Sequence, residues 1–166
     1  MHVGVTLLGA DLNDSVRSLR NQLEAAFSPE TAAKGFSGQT PSTGHCAAVA
    51  IIVREILGGE FVSASVNGAS HWFNRIATES CVWDIDLTAD QFGNHPVEMA
   101  KNRDLYPGTR LRSHDDVNLE TLIRAKLLAH RAGLIAAEVG IQDAIHGSAR
   151  WAQELKKFVT ETEKKR

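Results

Sequence analysis

The chain has 166 residues, 18 basic and 20 acidic, for a net charge of −2 at pH 7. That suits one domain and argues against binding nucleic acid through its phosphates. Hydrophobic residues at 43% and charged residues at 23% are ordinary for a globular protein with a core of its own. No apolar run reaches the roughly 18 residues of a membrane helix. MHVGVTLLGADL carries no secretory signal, and two cysteines make no disulfide framework, so a reduced, cytoplasmic protein is expected.

One domain is expected over residues 1–166, with a core over about 13–132, a helical extension over about 135–160 and a charged tail over 161–166. Residues 2–9 read as a short strand or an irregular lead-in. Asn13 or Asp14 can cap a helix whose apolar positions are Val16, Leu19, Leu23 and Phe27. Ser28 ends it, because a residue before proline is pushed out of the helical region. Residues 34–44, with Gly35, Gly38, Pro41 and Gly44, read as a loop. Ser42 or Thr43 can cap the next helix. That helix begins with the unbroken apolar run CAAVAIIV from Cys46 to Val53 and stops at Gly58-Gly59. Apolar nearly all round, it must be buried.

Strand-like runs follow at Glu60–Val66, Ser70–Ile76 and Cys81–Leu87. Asn67-Gly68 predicts a hairpin between the first two. In the third, Cys81, Trp83, Ile85 and Leu87 share one face, and Val82, Asp84 and Asp86 the other. Residues 93–117 are polar and are expected to wrap the surface. Asn118 can cap a helix to about His130, with Leu119, Leu122, Ile123 and Leu127 inward. Ile141 through Val159 forms another helical stripe, weakened at Gly147. The fold class is α+β, a small antiparallel sheet packed against a buried helix that starts at the cysteine.

Cys46 falls in the first turn of that helix, where unpaired N–H groups and the helix dipole favour a thiolate and can hold an oxyanion. Taken alone, it reads more readily as a small core cysteine, since free cysteines are usually buried and inert. Cys81 shares its face with core residues and reads as packing. His71 lies on the second strand, and a lone strand histidine is ordinarily structural. Its meaning changes beside a cysteine and an acid. Aspartate is disfavoured in strands, so Asp84 and Asp86 need a reason. One reason is an exposed face. The other is an acid that orients a histidine, and Asp86 meets that condition better if the second and third strands are antiparallel neighbours.

The segments Ser28-Pro29-Glu30-Thr31, Ser42-Thr43-Gly44-His45-Cys46-Ala47, Gly58-Gly59-Glu60, His71-Trp72-Phe73-Asn74, and Asp86-Leu87-Thr88 with Gln91-Phe92 occur in this order. The set resembles the YunG-like proteins of bacteria and phages, over roughly residues 28–130. That group looks like a compact papain-like or transglutaminase-like fold, with triad order Cys, His, Asp. The resemblance implies Cys46 as nucleophile, His71 as base and Asp86 as orienting acid. It departs at His45, where a glutamine is expected. Gln39, His45 and Asn74 are the candidates for oxyanion or substrate contacts.

The function expected is a thiol-dependent hydrolase or acyltransferase acting on an amide, ester or thioester, with a peptide, protein or small acyl substrate and no cofactor. The alternative is a non-enzymatic binding module on a papain-like scaffold, with the helix over 141–159 and its Trp151 as a partner surface. A zinc site from His45, Cys46, His71 and Cys81 ranks below both, for want of a closely spaced cysteine pair. Lys101, Arg103, Arg110 and Arg112 read as a solvated patch.

Overall fold

Six consecutive side chains, Ala48 to Val53, are buried in helix Cys46–Leu57, so it is enclosed on every side. The structure, a computed structural model, describes residues 9–33 and 40–165. The first described helix is α1 (Gly9–Glu24), the enclosed one is α2 (Cys46–Leu57), and the strands β1 (Glu60–Val66), β2 (Ala69–Ala77) and β3 (Val82–Asp86) follow. Beyond them come a 3-10 turn at Ala89–Phe92, strands β4 (Glu98–Lys101) and β5 (Arg110–Arg112), and a second 3-10 turn at His114–Asp116. Helices α3 (Leu119–Arg131), α4 (Ile135–Gly147) and α5 (Ala149–Glu163) complete the order. The five strands form one antiparallel sheet in the order β4-β3-β2-β1-β5, and the class is α+β. No helix among the described residues is long and apolar enough to cross a membrane.

α2 lies between the sheet, which it meets at β1 and β2, and helices α3 and α4. Each fully buried Val or Ile on it contributes about 1.5–3 kcal/mol, so this helix anchors the core. Asn67 and Gly68 take φ of 52° and 80°, and Val66 pairs with Ala69, the two-residue hairpin that Asn-Gly favours. Because α2 runs back into β1 through Gly58-Gly59, its first turn lies toward the end of the sheet where β2 begins.

Gly58 and Gly59 have φ of 76° and 83°. A Cβ on Gly59 would stand 2.4 Å from the Arg75 carbonyl oxygen, whereas one on Gly58 meets nothing. Gly58→Ala should therefore cost about 1–3 kcal/mol from backbone strain alone, and Gly59→Ala more, because backbone must move as well. Urea unfolding of the two variants checks the ranking; equal losses would contradict it.

Several expectations are corrected. α1 begins at Gly9 rather than after Asn13 or Asp14, and Asn13 instead accepts a hydrogen bond from Arg17 on the exposed side. The lead-in at 2–8 lies outside the described residues. Neither Ser42 nor Thr43 caps α2: the capping position is His45, without a side-chain bond. Residues 93–117 are more than wrapping, since they supply both edge strands. These are short and polar, as edge strands tend to be, which is why no alternation marks them. On α3, Leu128 is fully buried and Leu127 is not. The stripe over 141–159 is two helices broken at Gly147-Ser148, with the Ser148 side chain accepting the Trp151 N–H. Trp151 is buried within the chain's own core, so it is no partner surface. Cys81 is half-buried in the turn before β3, outside the core, where its carbonyl accepts from the Thr78 N–H.

Candidate active site

The two faces of the sheet carry different side chains. Along β2, Trp72, Asn74 and Ile76 face the helices, while His71, Phe73 and Arg75 face the other way. On that second face Val62, Ala64, Phe73 and Tyr106 form a small apolar cluster. β3 places Asp84 and Asp86 there too, each 1% exposed. They are therefore not aspartates on a solvated face. Asp84 is paired by Arg75, whose Nε donates at 2.7 Å and Nη2 at 3.1 Å, and it accepts the Leu105 N–H at 3.0 Å. Asp86 belongs to His71.

His71 is 1% exposed, and its Nε2 lies 2.7 Å from Asp86 Oδ2. The antiparallel pairing of β2 with β3 creates this contact: Asn74 opposes Ile85, so the start of one strand lies beside the end of the other. Asp86 is held in turn by the chain after it. Its Oδ1 accepts the Thr88 N–H at 2.9 Å and the Thr88 hydroxyl at 3.1 Å, an Asx turn that Asp-Leu-Thr favours. Tyr106 donates to Oδ2 at 2.6 Å. With this many partners the buried carboxyl has its hydrogen-bonding capacity met.

Cys46 is half-buried at the start of α2, close enough to His71 to act on its titration. Burial alone pushes the imidazole down. The hydrogen bond to Asp86, hydrogen bonding to Cys46 and the charges of both outweigh it, and the pKa rises from 6.5 to about 9. Nε2 is occupied by Asp86, so Nδ1 is the nitrogen left for the thiol. Phe92 meets the ring edge-on, with centroids 4.7 Å apart.

The remaining expected residues do other work. Asn74 is buried and its Nδ2 donates to the Ala50 carbonyl at 2.9 Å, which clamps β2 onto α2. Its amide is thus turned toward the α2 backbone, away from the face that carries His71 and Asp86. His45 turns into the core: Nδ1 donates to the Thr43 carbonyl at 3.0 Å, Nε2 meets the Thr31 hydroxyl at 2.7 Å, and Phe27 stacks at 4.3 Å. Burial pushes its pKa below the usual value, so it is a neutral pin between residues 28–31 and the turn before Cys46, not a substrate contact. Gln39 lies outside the described residues. Cys81 stands at the opposite end of β3 from Asp86. Among the described residues no group of three or more His, Cys, Asp or Glu is arranged to hold a metal.

Sequence reasoning missed a second layer. Arg20 on α1, 2% exposed, donates to the Leu87 carbonyl at 2.6 Å and to both oxygens of Asp90 at 2.9 Å. Asp90 also accepts from the Ser42 hydroxyl, and Gln91 Nε2 donates to the Ser42 carbonyl at 3.2 Å. Burial pushes the Asp90 carboxyl up, but Arg20 and Ser42 hold it below the ordinary carboxylate value. This hub ties the turn leading into Cys46 to the segment leaving Asp86. An arginine among the polar positions of a surface helix gives no sign of it in sequence.

A model of the YunG protein family matches residues 15–127, from α1 through most of α3. No curated protein and no solved structure gives a significant match to the chain.

Proposed function

The chain belongs to the YunG family, and we propose that it is a thiol-dependent hydrolase or acyltransferase, acting on an amide, ester or thioester through Cys46, His71 and Asp86. The observation that carries the reading is His71: a buried imidazole fixed at Nε2 by a buried carboxylate, with the thiol of a helix-start cysteine beside it. In this mechanism the Cys46 thiolate attacks the carbonyl carbon. The His71 imidazolium then protonates the leaving group, and as a neutral base it activates water or an amine to release the acyl group. Asp86 keeps the ring oriented and stabilises its positive charge. Among the described residues no side chain caps α2, which leaves its first N–H groups for the oxyanion.

A papain-like or transglutaminase-like scaffold is part of the same proposal. It is supported by the chain order Cys, His, Asp, with the cysteine opening a helix and the other two on adjacent antiparallel strands. The chemistry needs a reduced thiol, which the cytoplasm supplies. The binding-module reading retains only the outer part of α5, where Phe158 and Val159 are each 46% exposed.

Acyl trapping tests the proposal. The protein is mixed with p-nitrophenyl ester and thioester probes, and acylated peptides are mapped by mass spectrometry. We expect the acyl group on Cys46, formed about 100-fold or more slowly in His71→Ala. Acylation that spares Cys46, or that is indifferent to His71, would refute it.

A further inference from the structure

Tyr106 lies in the polar segment between β4 and β5, yet it is 9% exposed and its hydroxyl reaches the same Asp86 oxygen that His71 uses. Its ring stands at 90° to His71, with centroids 5.7 Å apart, and packs on Phe73 at 5.2 Å. The segment is fastened on both sides of it: Leu105 N–H donates to Asp84 Oδ2 at 3.0 Å, and the Thr109 hydroxyl donates to the Tyr106 carbonyl at 2.7 Å. Both strand aspartates thus receive this segment.

We propose that Tyr106 is a positioning residue that acts through Asp86, its hydroxyl holding the carboxylate against His71 and taking up part of that carboxylate's negative charge. The inference rests on the proposed thiol chemistry only for its catalytic consequence. An oxygen that accepts two donors gives less charge to each, so Tyr106 moderates how tightly Asp86 binds the proton of His71. Tyr106 is a constant donor, because burial and the neighbouring Asp86 charge push its phenol above the ordinary value of 10. The ionisable groups that face this pair are Cys46 from α2, Glu98 from β4, which is opposite Asp86 in the register, and Asp86 itself.

Tyr106 is the single tyrosine of the chain, which permits two independent changes to the full-length protein. The readout is the His71 titration, followed by NMR at its Cε1–H. Tyr106→Phe keeps the ring but removes the donor, and the His71 pKa should rise by about half to one pH unit, a three- to ten-fold gain in proton affinity. Biosynthetic 3-fluorotyrosine is a stronger donor in an unaltered backbone, and should lower it. In Asp86→Asn neither change should move His71. An apolar filler would produce none of these shifts. An unmoved His71 with both changes, or shifts of the opposite sign, would overturn the role of Tyr106. Alkylation of Cys46 in the wild type reports separately on the thiol chemistry: a slow Cys46 with the expected His71 shifts would sink that chemistry and leave the coupling standing.

Discussion

Iodoacetamide at pH 7 should label Cys46 about ten-fold faster in the wild type than in His71→Ala. An ordinary thiol, with a pKa near 8.5, is only about 3% ionised at that pH. The His71 imidazolium stays charged up to about pH 9, and a positive charge next to the sulfur favours its attack on the reagent. The advantage should hold through neutral pH and shrink above about pH 9, as His71 loses its proton. Each cysteine must be read separately by mass spectrometry. Cys81 is accessible, and a hydrogen bond from Ser80 holds its pKa below the usual value, so it labels too. Its rate should be the same in both proteins. Equal Cys46 rates in wild type and His71→Ala would mean that the thiol and the imidazole do not act as a pair.

In a background of Cys46→Ser with Cys81→Ser, unfolding free energy should fall by up to about 3 kcal/mol as pH rises from about 6.5 to about 9, and this slope should vanish when His71→Ala is added. The folded protein holds the His71 proton up to about pH 9, whereas the unfolded chain releases it near 6.5. Between those values the folded state binds more protons, so raising pH disfavours it. The contribution is whole below about 6.5 and gone above about 9. His45 and His114 are shifted the other way by burial, and they weaken the fold only as pH drops below about 6.5, outside this window. The lowered Cys81 thiol acts in the opposite sense inside it, and a proton passed from Cys46 to His71 would cancel the difference, so Cys46→Ser with Cys81→Ser is the background for the measurement. Urea unfolding at a series of pH values gives the slope directly. A slope that survives in His71→Ala would show that Asp86 does not hold the imidazole as an ion pair.

Local patterns made much of the frame legible. The apolar run after Cys46 could be buried as a strand or a helix, and its alanines and its length favour the helix. Asn67-Gly68 admits the backbone angles of a tight hairpin, and Asn118 offers the oxygen that the first turn of α3 needs. These depend on residues close together in the chain. For the same reason the reading failed where the decisive neighbour was distant. Strand parity puts Cys81 in the core, but a turn takes it out, and nothing local shows that the Asn74 amide meets the Ala50 carbonyl.

The candidate site divides along the same line. Its three residues could be picked out by type and order: a cysteine at a helix start, a histidine on a strand, and aspartates where strands disfavour them. Choosing between those aspartates required the register of β2 against β3, which gives Asp86 to His71 and Asp84 to Arg75. What surrounds them was decided by tertiary structure alone. Tyr106 reaches Asp86 from twenty residues away, and Arg20 reaches Asp90 from seventy. Hydrogen bonds and ion pairs that span such distances leave no periodicity in the chain. By itself the sequence determined which segments must be buried, where they turn and which side chains can bear chemistry. The packing of β2 against β3, of α1 against the turn before Cys46, and of Tyr106 under the sheet decided which of those side chains meet, because contact at 3 Å depends on chain paths that no local pattern encodes.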